Sequence, residues 1–266
     1  MSAVRVGRRG LESIRLSVTD RDLAVLRSVE QFRLLSAPHV EALHFADHPT
    51  PLAATRASRR ALKRLVADRL LVRLERRVGG IRAGSSSFVY ALGPIGHRLL
   101  NDDTRRRWRE PSEVFVAHTL AVAQLVVDLT IAHRDSRTEL LHYECEPTCW
   151  RSFTKGLGGT ETLKPDLHVI TAGPDEEWWW FIEVDLGTES GNAIVRKCRT
   201  YHDYWATGTE QDRHGAFPRV LWVADTDRRA RLIERSIAGA RSVNHDLFTV
   251  ATNANAIDVM AGGGTS

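Results

Sequence analysis

Between Pro111 and about Arg134, the apolar residues Val114, Phe115, Leu120, Val122, Leu125, Val126 and Leu129 recur at helical spacing, with Ser112 placed to cap the start. A helix of this length separates two segments of different pattern and predicts two domains joined along it. The 266 residues suit that division, since globular domains usually hold about 100–200 residues. Charge divides the chain in the same way. Residues 1–110 carry 22 Lys and Arg against 11 Asp and Glu, a net +11, whereas residues 111–266 carry 15 against 22, a net −7. A polyanion is drawn to the first segment and repelled by the second, except where a metal ion or a local basic patch reverses the sign. The division points to a nucleic acid, DNA or RNA, and the element order of the first segment makes double-stranded DNA the expected partner.

The first segment orders its elements as a winged helix does. Thr19-Asp20-Arg21-Asp22 reads as a capped helix start, followed by Leu23, Leu26 and Val29 on one face. A second helix opens at Ser36, with Pro38 in its first turn and Val40 and Leu43 turned inward. A third, from about Leu52 to Asp68, is predicted to bury Ala57, Ala61, Leu62 and Leu65 and to expose Arg56, Arg59, Arg60, Lys63 and Arg64. A strand at 70–75, a turn at Gly79-Gly80 and a return strand at 87–92 complete the pattern. In that geometry the third helix enters the major groove, while Arg73, Arg76, Arg77 and Arg82 on the wing reach flanking phosphates. A basic helix face is also what simple solvation produces. Whether the helix arginines read guanine or touch phosphate stays open.

Beyond the joining helix, strands at 140–145, 166–171, 178–184, 219–224 and 247–250 alternate with helices at 191–205 and 228–240, which predicts a layered α/β domain. Gly173-Pro174-Asp175 supplies a turn that makes the second and third strands a hairpin. Asp166 begins one of these strands, and Glu183 and Asp185 end the next. The strand period of two places Glu183 and Asp185 on one face, with Asp166 able to join them. Three carboxylates so placed repel one another unless a cation intervenes, and oxygen ligands suit Mg²⁺ or Mn²⁺. A structural alternative is that Glu183 and Asp185 pair with Arg196, Lys197 or Arg199 and hold the next helix. Glu144 and Glu146 extend the acidic site or are exposed strand carboxylates. Trp178-Trp179-Trp180 reads mainly as core and interface. His118 and His133, on the joining helix, read as packing or hydrogen-bonding residues, with a site role for His118 as the less frequent case.

Pro165-Asp166 followed by Glu183-x-Asp185 resembles the PD-(D/E)xK nuclease core, in which an acid begins one strand and an acid-x-lysine closes the next. Here Asp185 fills the lysine position. In that superfamily the lysine helps activate the attacking water, and some members are thought to supply it from the following helix, where this chain has Lys197. The resemblance implies that Asp166 and Glu183 hold the metal, Asp185 assists it or orients water, and Lys197 stabilises the water or the developing phosphorane charge. More widely, over roughly residues 17–245, the chain resembles the replication-relaxation family of actinobacterial plasmids and integrated elements. The most specific stretch runs from Glu183-Val184-Asp185-Leu186-Gly187-Thr188-Glu189 to the Lys197, Tyr201 and Tyr204 helix. The family's name implies a part in plasmid replication or transfer.

The expected architecture is therefore an α+β or α/β chain: a disordered basic arm (1–16), a winged-helix DNA-binding domain (17–110), a restriction-endonuclease-like α/β domain (111–250) and a flexible tail (251–266). Two function classes stay open, a metal-dependent endonuclease or nickase guided by the winged helix, and a non-catalytic regulator of transcription or replication initiation. A homodimer on a palindromic operator belongs with the second. Cys145, Cys149 and Cys198 read as buried thiols, lacking both a disulfide framework and zinc spacing. The sequence offers neither a secretory signal nor a membrane-spanning run, so a cytoplasmic location without membrane contact is expected. The absence of a Gly-rich phosphate loop disfavours an ATP-driven role, and the absence of a His-x-His cluster disfavours a relaxase.

Overall fold

The computed structural model describes residues 7–74, 78–79, 86–101, 110–155, 158–173 and 176–263. It is a mixed α/β structure with two compact units, Met1–Val127 and Asp128–Ser266. The division falls inside the long helix, where the sequence places it at residue 110.

The first unit begins with α1 (Arg8–Ser17), a helix where the sequence predicts a disordered arm. Leu11 is buried and anchors it, although the surrounding basic residues give no sign of a core-facing side. Helix α2 (Asp20–Phe32) starts with a reciprocal cap: the Thr19 hydroxyl accepts from Asp22 N–H, and the Asp22 carboxylate accepts from Thr19 N–H. After β1 (Leu35–Ser36), α3 (Ala37–His44) repeats the device with Ser36 and His39. Helix α4 (Pro51–Ala67) is capped by Thr50.

The buried stripe of α4 is Ala54, Ser58, Leu62 and Leu65, with Ala54 and Ser58 in the places predicted for Ala57 and Ala61. The polar Ser58 turns inward because Glu41 on α3 accepts from its hydroxyl at 3.3 Å and from that of Thr55 at 2.8 Å. Strands β2 (Leu71–Arg73), β3 (Val78–Gly79), β4 (Ser86–Ser87) and β5 (Val89–Leu92) follow, and α5 (Pro94–Asn101) comes next. Strand β5 lies between β1 and β2, antiparallel to both, while β3 pairs with β4. A Cβ on Gly96 would stand 2.3 Å from the Leu70 carbonyl oxygen, so α5 approaches the start of β2 only with glycine there.

Helix α6 (Glu113–Arg134) is long and apolar enough to cross a membrane by length and composition, where the sequence analysis finds no such stretch. Half of its apolar window is buried within the protein. Val116, Ala123, Leu125, Val126 and Leu129 point in several directions around the helix, yet each is at most 4 % exposed. Val114 and Ile131 on the same helix are exposed, so α6 is packed over part of its circumference and open along the rest.

The second unit contains β6 (Glu139–Cys145), β7 (Arg151–Thr154), β8 (Thr160–Leu163), β9 (Leu167–Ala172), β10 (Glu177–Asp185), α7 (Gly191–Trp205), α8 (Thr209–His214), β11 (Arg219–Ala224), α9 (Asp227–Ala238) and β12 (Phe248–Thr252). Its five-stranded sheet has the order β12-β11-β10-β9-β6. Strands β6, β9 and β10 are antiparallel neighbours, and β10, β11 and β12 run parallel. The two parallel steps need crossovers, which α7 and α9 supply. These helices pack Ile194, Tyr201, Ile233 and Ile237 onto the sheet face that carries Phe181 and Trp222. On the opposite face Trp180 is fully buried and donates its indole N–H to Thr171, whose hydroxyl donates to the Met260 carbonyl at 2.6 Å. The tail predicted to be flexible is thus folded against the sheet as far as Gly263. Pro174 and Asp175 of the predicted turn, and residues 264–266, lie outside the described residues.

Burial lowers His39 from 6.5 to about 4, against the hydrogen bond to Gln124. A histidine kept neutral by the fold contributes stability above its unfolded pKa, and that stability is lost as pH falls from 6.5 towards 4. Acidification from pH 7 to pH 5 is expected to cost about 2 kcal/mol through His39. Urea unfolding at both pH values checks this, and His39→Gln, which keeps a capping partner but does not titrate, should remove that share of the loss.

Candidate functional site

Register brings the predicted acids to one end of the sheet. Phe181 pairs with His168 and Ile182 with Leu167, so Asp166 stands opposite Glu183 on the helix-covered face. Asp166 donates its backbone N–H to the Ile182 carbonyl at 3.0 Å and accepts Val184 N–H on its carboxylate at 2.7 Å. Glu183 is 1 % exposed. One of its oxygens accepts from Lys197 Nζ at 2.5 Å and the other from the Tyr201 hydroxyl at 2.6 Å. Lys197 also reaches Glu189 at 3.4 Å and lies 5.5 Å from the centre of the Trp222 ring.

Burial pushes the Glu183 carboxyl up to about 8, against the charge of Lys197, and Asp166 adds to the rise. Burial also disfavours the Lys197 ammonium, but Glu183, Asp166 and Glu189 outweigh it and hold the lysine above its usual range. The two directions conflict, because a neutral Glu183 would withdraw the largest support of Lys197. Short donors on both Glu183 oxygens favour the carboxylate–ammonium pair. Burial, with Glu183 beside it, keeps the Tyr201 hydroxyl protonated well beyond its usual range.

Asp185 shares the face but not the partners. Arg229, at the start of α9, grips it with two hydrogen bonds of 2.7 Å, Gly187 N–H donates to it at 2.6 Å, and Arg229 continues to the Glu189 carbonyl at 2.6 Å. Of the arginines and lysine weighed as partners from sequence, only Lys197 reaches these acids, and it takes Glu183. The three carboxylates thus have separate partners: Glu183 is engaged at both oxygens by Lys197 and Tyr201, Asp185 is held by Arg229, and Asp166 accepts Val184 N–H. Among the described residues no group of three or more His, Cys, Asp or Glu side chains is placed to hold a metal ion.

A second polar cluster borders the first, and of its members the sequence pointed to Glu144 and Tyr204. Arg151 bridges Glu144 at 3.1 Å and the buried Glu210 at 3.4 Å, and Tyr204 donates to Glu210. His168 lies 3.7 Å from Glu144, and burial lowers it to about 4. Glu144 thus belongs to this cluster and does not extend the one around Glu183. The three cysteines are free and buried, and His118 is half-buried on α6.

In the first unit, Arg56, Arg59, Arg60 and Lys63 are exposed on the side of α4 away from its buried stripe, and among the described residues none of them makes an ion pair. Arg64, predicted to belong with them, instead clamps Asp22 with contacts of 2.7 and 2.8 Å. Burial works to raise Asp22, but Arg64 and Thr19 outweigh it and hold the carboxyl below its usual range. Arg73 is exposed with its guanidinium 4.3 Å from the centre of the Phe88 ring. Arg76, Arg77 and Arg82 lie outside the described residues.

Arg229 is the residue that sequence reasoning missed. Its signal was its place: it opens the helix after β11, and β11 runs parallel to β10 with Asp185 opposite Ala224. Arg229→Met is expected to destabilise the protein by about 3–5 kcal/mol, because it strands a buried carboxylate. In urea unfolding, Asp185→Asn combined with Arg229→Met should cost clearly less than the two single changes added together.

A family model described as replication-relaxation matches residues 26–220, a span that includes α4, α6, Asp166, Glu183, Asp185 and Lys197. No curated protein and no solved structure matches the chain.

Proposed function

The chain belongs to the replication-relaxation family, and we propose that it is a double-stranded DNA-binding protein acting in the replication or transfer of a plasmid or integrated element. In this reading α2, α3, α4 and the strands β2 and β5 work as a winged helix, with α4 in the major groove and Arg73 on flanking phosphate. The observation that carries it is the exposed set Arg56, Arg59, Arg60 and Lys63, four cations on one helix face without an ion pair among the described residues. Unpaired cations on a helix whose other side is anchored lose little by meeting phosphate and release counterions when they do. Arg64 is excluded from the contact set because Asp22 holds it. Fluorescence anisotropy with a duplex at several salt concentrations tests this. Arg56→Ala, Arg59→Ala and Arg60→Ala combined should weaken binding and flatten the log–log salt slope by about 2–3. A combined variant indistinguishable from the parent chain would sink the assignment to α4.

For the acids we propose a structural role, with the nuclease-like resemblance surviving as a scaffold. Of the oxygens that would hold Mg²⁺ or Mn²⁺, those of Glu183 and Asp185 are already bonded to Lys197, Tyr201 and Arg229, and one oxygen of Asp166 accepts Val184 N–H. The competing reading, DNA cleavage, has one observation in its favour: Lys197 reaches Glu183 from the following helix and feels the Asp166 charge, as a displaced nuclease lysine would. Plasmid incubated with the purified chain and Mg²⁺ or Mn²⁺ should stay supercoiled. Nicking that disappears in Asp166→Ala and Glu183→Ala would establish cleavage.

A further inference from the structure

The second unit is acidic, with 15 Lys and Arg against 21 Asp and Glu from Asp128 to the end of the chain. Its two crossover helices reverse that balance. Helices α7 and α9 together carry seven Lys and Arg against three Asp and Glu. Lys197 and Arg229 turn inward to the carboxylates at the end of β10, while Arg196, Arg199, Arg228, Arg231 and Arg235 are exposed. On α9 the buried residues are Ala230, Ile233 and Ile237, so Arg228, Arg231 and Arg235, spaced by three and four, form a stripe on the other side. Arg196 and Arg199 lie likewise on the side of α7 away from Ile194, Cys198 and Tyr201.

A merely solvated helix face usually mixes signs and pairs them along the helix. Asp227 and Arg231 have the four-residue spacing for such a pair, yet among the described residues none of the five arginines makes an ion pair. The cations are also all arginine, whose planar fork matches phosphate oxygens. Arg228 to Arg235 spans about 10 Å of helix, the length over which one DNA strand presents about three phosphates.

We propose that the outward faces of α7 and α9 form a second surface for the DNA phosphate backbone, carried by the acidic unit and separate from α4. It contributes affinity and salt dependence but no base preference, since its cations act on phosphate. The surface reverses the local sign of a unit that would otherwise repel the duplex. This inference rests on double-stranded DNA as the partner but not on α4 as its contact.

The test uses the full chain in anisotropy titrations with a duplex across a salt series. Three proteins are compared with the parent: Arg228→Gln, Arg231→Gln and Arg235→Gln combined, the same positions changed to Lys, and the combined α4 variant. The Gln variant should bind more weakly, with a salt slope less steep by about 2–3, while the Lys variant keeps the parent slope. Unfolding curves that coincide with the parent's show that these exposed positions do not act through stability. Parent-like affinity and slope in the Gln variant, with binding lost in the α4 variant, overturns this inference and keeps the α4 assignment. The reverse pattern overturns the α4 assignment and keeps this inference. A parent chain that fails to bind the duplex overturns both.

Discussion

The acidic end of β10 sets the terms for the second unit. Glu183 and Asp185 are 1 % and 3 % exposed on the face that the crossover helices must cover. A buried carboxylate persists as an anion only with a cation and further donors beside it. Each crossover helix supplies one cation, Lys197 from α7 and Arg229 from α9, so each helix is tied to the same strand end. Such pairs give little net stability compared with well-packed apolar residues, but breaking one is costly, and this fixes where the helices sit. Asp166 adds a tie across the β9–β10 pair through Val184 N–H.

That closure bears directly on function. In the proposed structural role, Glu183 and Asp185 are divided between two helices and the cation that each supplies. Sets of exposed positive charge lie elsewhere, on α4 in the first unit and on the outer faces of α7 and α9 in the second. The net +11 of residues 1–110 and −7 of residues 111–266 therefore describe the two segments only coarsely. Within the acidic segment, Lys197 and Arg229 neutralise the carboxylates at the end of β10, and among the described residues the outward arginines of α7 and α9 make no ion pair.

Most of this fold was legible from hydrophobic period and capping chemistry. Thr19 and Ser36 marked helix starts, the apolar spacing from Val114 to Leu129 marked α6, and Trp178-Trp179-Trp180 lay in the strand expected at 178–184, which is part of β10. What escaped depended on distant partners. Ser58 is polar and still faces inward, because Glu41 on another helix meets it. The segment around Met260 looked like a loose tail because its anchor, the Thr171 hydroxyl, lies 89 residues earlier. Strands β7 and β8 are four residues each, too short to show a period. At the site, the common face of Asp166, Glu183 and Asp185 followed from strand alternation, and Lys197 from its place on the next helix. Arg229 could not be found that way, since it meets Asp185 across 44 residues through the parallel β10–β11 step.

The central claim, that the helices' own cations close the acidic cluster, is tested most directly by titrating the purified chain with Mn²⁺ and following free Mn²⁺ by electron paramagnetic resonance. The expected result is no saturable uptake that depends on Asp166 or Glu183. One tightly bound equivalent, lost in Asp166→Asn and in Glu183→Gln, would contradict it and reopen the chain as a metal-dependent nuclease.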